Sequence, residues 1–496
     1  MQIAAWQALS APADIATNLA RLDESARRAA AEGAALLITP EMFLTGYVLG
    51  GNAPIALASG NGAGAPVGFL IASLVMLIFS VGFVAMTPHV KEAGAFFSYV
   101  TLGLGRRLGL GTAFMALVAY TAIQAGVYGY MGWAVGDFVR HSGGPAIPWW
   151  IYSLLTVAIV AYLGYRHIEL SAKVLGVALV LEIAVVVIMN LTIFADGGAH
   201  GIEFSSFTPS AALTSGLGVA VLFALTGFIG FEATAVFRDE ARQPARTIPR
   251  ATYLAVLIIG VFYTLSVWAL VVANGAGEVA GIAQKTLDGD ANLLLDTAER
   301  YTGGVMRDLM QVLLLTSLFA CVLSFHNVLA RYQFTLARQG TLPRRLARIH
   351  PRHRAPSHAS LVQTLTALAL MLLCLALGLD PLTQVFGYMA GIATVGMIAL
   401  MLLTTLASLA FFRRHPELAG RRHWQTRIAP SLAAVLLLAS LALVLSNFTL
   451  VTGGSVGISA LLALIPLLAL LAGALFGRAR SVAGEAPLSP PRAGAY

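Results

Sequence analysis

Charge is what this chain has least of. Only 11% of its 496 residues are Asp, Glu, Lys or Arg, under half the roughly 25% found in soluble globular proteins. So few charges cannot cover a soluble fold of this size, and the mean hydropathy of +0.80 points the same way. Cysteine is nearly absent too. Cys321 and Cys374 both lie within apolar runs, which excludes a disulfide framework or a cysteine-based zinc site and leaves two small buried hydrophobes. Between Glu41 and Lys91 there is no charged residue at all, a gap long enough for two membrane crossings at about 20 residues each. Lipid rather than water is therefore expected to meet most of the surface, as in an all-α polytopic membrane protein.

The basic residues that are present follow a pattern. With apolar runs of about 18 residues or more taken as spans, 24 of the Lys and Arg fall in one set of alternate connections and its tail, and four (Arg140, Lys285, Arg300, Arg307) in the other. This alternation is the positive-inside rule, and it fixes orientation. The excess of basic residues is thus a topology signal, with the lipid bilayer as partner. No nucleic acid, metal or cofactor is expected.

Charge-free stretches place eleven spans near 65–87, 108–136, 148–165, 170–194, 215–237, 251–273, 307–330, 359–378, 383–412, 428–449 and 455–477. The 88–107 connection is cytoplasmic by its charges, so the span at 65–87 enters from outside and a further span must precede it. That first span has only about 42–59 to occupy, and Gly46, Gly50, Gly51, Asn52 and Pro54 lie within it. Glycine and proline free backbone groups that hydrocarbon cannot satisfy, so this segment must be shielded by protein or line a cavity. A second interruption lies in LFALTGFIGFEATAVFRDEARQPARTIPRA, 222–251, where Gly227 and Gly230 sit mid-span among Phe223, Phe228 and Phe231, with Glu232 following. Paired interrupted segments in the two halves of a chain are a pointer to inverted-repeat transporters, because unwound backbone offers donors to a carboxylate and carbonyls to an ammonium. Close helix packing at the glycines is the competing explanation.

From about residue 48 to 478 the chain resembles the amino acid–polyamine–organocation (APC) transporter superfamily. The resemblance is carried by FSVGFVAMTPHVKEAGAFFSYVTLGLGRRLGLGTAF, GFIGFEATAVFRDEARQPARTIPRA and NVLARYQFTLARQGTLPRRLARIHPRHRAPSHA. It implies two inverted five-helix repeats with two extra helices, the LeuT-like arrangement. It also implies an amino acid or amine held between the broken first and sixth spans. On that mapping Gly50 and Gly51 contribute from the first span, and Phe228, Ile229 and Gly230 from the sixth, with Phe231 as a gate or wall.

Ionisable groups inside the bilayer are costly unless paired or wetted, and mark function by default. Glu182 lies midway along the fifth span and is a candidate proton carrier; a neutral carboxyl bonded to backbone is the alternative. Glu232 is a second candidate, or pairs toward Arg238 as a closing contact. His326 and Asn327 read as packing hydrogen-bonders. Tyr120, Gln124 and Tyr128 recur on one helical face, where they line the site or pack.

Residues 1–47 are different. They read as strand (2–8), polar helix (about 13–32), strand (34–38) and a Pro-Glu turn, a short βαβ fragment without a signal peptide's apolar core. The segment resembles the opening of the nitrilase, or carbon–nitrogen hydrolase, family through Pro40, Glu41, Gly46 and Tyr47. That resemblance makes Glu41 the match for the base of a Glu-Lys-Cys triad. The lysine and cysteine are missing, and one carboxylate without its thiol does no acyl chemistry. The two resemblances meet near residues 44–46, which implies a fusion with a truncated first helix.

The sequence is thus expected to comprise a catalytically incomplete fragment (1–47), a transporter domain (48–478) and a disordered cytoplasmic tail (479–496). The expected function is secondary transport of an amino acid, amine or small amide, coupled to H+, in the inner (plasma) membrane with both termini cytoplasmic. A non-transporting fusion remnant is the alternative, and a bifunctional amidase–permease a remote one.

Overall fold

The computed structural model describes residues 2–4, 34–37, 48–90, 95–166, 172–232, 244–350, 356–420 and 422–482. Two short strands, β1 (Gln2–Ala4) and β2 (Ala34–Leu37), pair in parallel. The polar helix expected between them, the Pro-Glu turn and Glu41 lie outside the described residues. Everything else described is helix and its connections.

The first helix, α1, is a composite. Wide π turns over Val48–Asn52 pass through a short α segment, Ala53–Ile55, and return to π geometry over Ala56–Asn61. Gly62, at φ +56°, ends it, and α2 (Ala65–Met86) follows with a proline in its first turn, where the missing N–H is harmless. The short α3 (Ala95–Leu104) leads into α4 (Arg106–His141), α5 (Trp149–Arg166) and α6 (Ala172–Asp196). Then come α7 (Leu217–Thr226) and α8 (Pro244–Asn274), with α9 (Val279–Asp288) and α10 (Leu293–Thr302) in the following connection. The chain finishes with α11 (Gly304–Arg338), α12 (Ser357–Ala376), α13 (Gly387–Arg414), α14 (Ala429–Ser446) and α15 (Val456–Val482).

Nine helical stretches among the described residues are long and apolar enough to cross a membrane. They account for ten of the twelve expected spans, since Val48–His89 holds the first two in one run. The two that fall short have physical reasons. In α5, tryptophan, tyrosine and Arg166 dilute the apolar residues. In the described part of the segment expected at 215–237, helix covers Leu217–Thr226 and the chain then breaks. At the other end, α15 reaches Val482, so residues 479–482 are helix rather than disordered tail; the remaining tail residues lie outside the description.

Burial sorts the helices. The apolar windows of α4 and of the α13 stretch are 78% and 72% buried, that of α15 only 17%. Inner helices are therefore protein-packed, while α6, α12, α14 and α15 turn rows of Leu and Val outward. With lipid tails as apolar as leucine, helices associate through close contact at small residues. The α4–α15 seam shows this reciprocally: a Cβ on Gly111 would lie 2.6 Å from the Leu470 carbonyl, and one on Gly473 2.7 Å from that of Leu110.

Candidate functional site

Every residue of α7 is buried, and its end is tightened rather than capped. Gly227, Phe228 and Ile229 donate their N–H groups three residues back, to Ala224, Leu225 and Thr226, at 3.0–3.1 Å. Gly230 then takes φ +105°, a conformation open to glycine and strained for any residue with a Cβ. The sixth span is therefore broken where the sequence placed it. Tightening leaves the Phe223 carbonyl without its usual donor four residues on. Asn52 of α1 supplies one, its side-chain nitrogen 2.9 Å from that oxygen. A buried carbonyl is satisfied across two helices, as a low-dielectric interior requires.

α1 and the break are neighbours. A Cβ on Gly227 would meet Val48 at 3.1 Å and Tyr263 at 3.4 Å. The expected unwinding at Gly50 and Gly51 is not what the backbone does there: both lie in continuous π turns, fully buried. A Cβ on Gly50 would meet the Tyr130 hydroxyl at 2.1 Å, and one on Gly51 the Phe386 ring at 3.0 Å. These glycines let α4 and the turn before α13 press onto α1. α1 leaves two buried side-chain oxygens without a hydrogen-bond partner, Asn52 Oδ1 and Asn61 Oδ1.

Glu232 ties the break to α4. One carboxyl oxygen accepts the Gly230 N–H at 3.1 Å, and the other accepts the hydroxyl of Tyr120. Three residues that the sequence singled out, Tyr120, Gly230 and Glu232, are thus joined. Arg238, the expected partner of Glu232, lies outside the described residues. Next to them Phe231 is buried against Phe79 (5.7 Å between ring centroids), Phe83 (5.9 Å) and Phe96 (6.3 Å), and Phe83 stacks on Tyr99 at 4.7 Å. Phe96 and Tyr99 belong to α3, in the basic 88–107 connection. The ring cluster therefore joins the break to that connection. Phe228 and Ile229 are buried in the core beside it.

Glu182 occupies a separate position. It is buried on α6, within electrostatic reach of Tyr130, Tyr263 and Cys321. Two of those groups, Tyr130 and Tyr263, are the ones pressed against Gly50 and Gly227. One carboxyl thus stands behind the helix-1 side of the site and the other holds the break itself.

Gln124 does not stand free beside Tyr120. Its amide donates to the Val322 carbonyl of α11 at 3.2 Å, and its oxygen accepts from Gln363 of α12 at 2.8 Å; Gln363 in turn accepts from Gln333 at 2.9 Å. Gln124 thereby anchors α4 to α11 and α12. His326 acts similarly, bonded to Ser360 at 2.8 Å and packed into a notch at Gly164. Gln333, Gln363, Tyr130 and Phe386 were passed over in the sequence. An isolated glutamine within an apolar run was the available signal for the first two. Nothing in the pattern marks the other two.

On the opposite face, α9 and α10 pack along α1, and α10 reaches the Val48–Asn52 turn. Asn292 donates to Asp137 at 3.0 Å, and Arg307 pairs with Glu299 at 3.2 Å. Among the described residues no group of three His, Cys, Asp or Glu is placed to hold a metal ion. The arrangement is a buried contact of two helices, with peptide groups at the end of α7 turned out of regular helix.

A family model described as amino acid permease matches residues 33–477. The match takes in residues 33–47, upstream of the boundary that the sequence draws at residue 48. The branched-chain amino acid permease of Bacillus subtilis (strain 168) is 23% identical over 375 residues, covering 72% of this chain and 75% of that protein. The serine/threonine exchanger of the same organism is 22% identical over 322 residues, covering 64% and 70%. An uncharacterised transporter of Mycobacterium tuberculosis (strain ATCC 25618 / H37Rv) is 28% identical over 316 residues, covering 62% and 66%.

Proposed function

The chain belongs to the amino acid permease family, and on that premise we propose that it is a secondary active transporter of a zwitterionic amino acid or a closely related amine or amide. Cargo sits between α1 and the α7 break. The observation that carries this proposal is the break after the wholly buried α7, where Gly227 lies against Val48 of α1 and Gly230 takes φ +105°. α7 ends at the break with its negative dipole end, which suits an ammonium. Two relatives are named for branched-chain amino acids and for serine and threonine; these side chains are uncharged, so a neutral cargo is the first to test.

Transport proceeds by alternating access within two inverted five-helix repeats, with α14 and α15 appended. The Phe231 ring cluster is the closure on the basic face, which the positive-inside rule makes cytoplasmic. Coupling to H+ runs through Glu182 and Glu232, the two buried carboxyls of the site. Upstream of residue 33, where the permease match begins, the N-terminal segment is taken as a hydrolase-like fragment without activity of its own.

Proteoliposome uptake of radiolabelled neutral amino acids, with and without an imposed pH gradient, tests the proposal. Saturable uptake that rises with inward acidification of the driving side, and that Glu232→Gln lowers at least tenfold, is expected. Uptake indistinguishable from empty liposomes across the amino acids and simple amines would overturn it.

A further inference from the structure

One corner of the molecule concentrates positive charge that transport does not use. From residue 309 to residue 379 the sequence holds seven arginines and neither Asp nor Glu, so this stretch has no acid of its own to balance them. Arg344, Arg345 and Arg348 are exposed, and the turn Arg344–Ala347 packs against α11 and α12. Two contacts carry this turn to the basic end of α5. His350 meets the Tyr165 ring edge-on at 5.7 Å, and Ser357 donates to the Tyr165 carbonyl at 3.4 Å.

Arg166, the last residue of α5, is exposed there and held in place. One of its guanidinium nitrogens donates to the Tyr162 hydroxyl, and the guanidinium carbon lies 5.4 Å from the Tyr162 ring centroid. That bond uses one of the five N–H donors an arginine carries, and the planar fork of the remainder suits phosphate. No carboxylate among the described residues pairs with Arg166, Arg344, Arg345 or Arg348.

Away from this corner, α5 and α12 lie side by side. Both turn apolar side chains outward: Leu155 and Ile159 on α5, and Leu361, Leu365 and Leu372 on α12 are all more than 40% exposed. The combination is amphipathic in one direction, with an apolar two-helix surface, a tyrosine at its border and exposed arginines beyond. Tyrosine is a residue of the membrane–water interface, and basic pockets between spans bind anionic head groups.

We propose that this corner binds an anionic phospholipid, with its phosphate between Arg166 and the Arg344–Arg348 turn and its acyl chains along the α5–α12 surface. A free phosphate would leave the apolar half unused, and a zwitterionic lipid would leave the arginines unbalanced. The proposal is independent of what the protein transports.

The test is native mass spectrometry of the full-length protein, loaded with equimolar phosphatidylglycerol and phosphatidylcholine of matched chains. Wild type retains phosphatidylglycerol preferentially. Each arginine at a membrane surface is worth about fivefold, so Arg166→Ala with Arg348→Ala lowers the preference roughly 25-fold. Arg413→Ala with Arg414→Ala, elsewhere on the basic face, leaves it intact. Raising salt from about 50 to about 500 mM weakens it in the unaltered protein, because screening shortens the reach of surface charge. Equal retention of the two lipids by wild type, or equal loss in both double variants, overturns the proposal. So does displacement of phosphatidylglycerol by inorganic phosphate at low millimolar concentration, which would mark a simple anion site.

Discussion

Replacing Gly230 by alanine puts the break itself under test. At φ +105° an alanine must either accept a strained backbone or let the turn relax. Holding a residue with a Cβ in a sparsely populated region costs about 1–3 kcal/mol. Relaxing the turn removes the Gly230 N–H from Glu232, a bond of 3.1 Å, at about 1–3 kcal/mol for a buried hydrogen bond to a carboxyl group. The chain takes whichever is cheaper, so the described conformer loses about 1–2 kcal/mol relative to any state in which residue 230 is not left-handed. That is a five- to thirtyfold shift in population. Gly227→Ala is the control. Its φ is −65°, and the new methyl meets Val48 at 3.1 Å, a contact that yields by a few tenths of an ångström. Initial uptake rates in proteoliposomes and thermal unfolding of the purified protein read both effects. Gly230→Ala is expected to lower uptake five- to thirtyfold and Gly227→Ala less than threefold. If Gly227→Ala is the more damaging, or Gly230→Ala matches wild type in both assays, the backbone at Gly230 does not hold the site together.

Tyr120→Phe and Glu232→Gln are expected each to reduce uptake about tenfold or more, and the double variant little further, because they share one bond; additive losses in this double-mutant cycle would separate them. Glu182→Gln is expected to abolish the pH dependence of net uptake while leaving amino acid exchange across the membrane, measured with labelled counter-substrate; unchanged pH dependence would confine Glu182 to packing. Gly164→Ala places a methyl 2.4 Å from His326, and overpacking of this kind costs about 1–3 kcal/mol, readable as a lowered unfolding temperature with KM retained. Asn52→Ala leaves the Phe223 carbonyl without its donor, a loss of about 1–3 kcal/mol visible in both unfolding and uptake.

Much of this architecture was legible because the bilayer reads composition directly. A charge-free run of the right length has few other fates, so the spans at 65–87, 108–136 and 307–330 emerged as α2, α4 and α11 with only their ends displaced. Helix ends are set by interface and packing, so α4 and α11 overrun their apolar cores at both ends, with Arg106 and His141, or Arg338, in the polar margin. Gly230 was readable as one of two outcomes, a break or a close helix contact, and only the structure chose the break. Gly50 and Gly51 carried the same sequence signal and the opposite outcome. What separated them was the presence of Tyr130 and Phe386, residues 80 or more positions away, which fill the space the two glycines leave. Gln124 was placed on the right helical face, yet its partners on α11 and α12 turned it into an anchor.

The amino-acid sequence alone determined that this protein lives in a membrane and which connections are basic, because hydropathy and charge act locally. The tertiary structure alone decided which glycines open the chain and which only admit a neighbour. It also decided that Glu232 clasps Tyr120 while Glu182 comes within electrostatic reach of Tyr130 and Tyr263. Those outcomes depend on contacts between residues far apart along the chain, and no local pattern carries them.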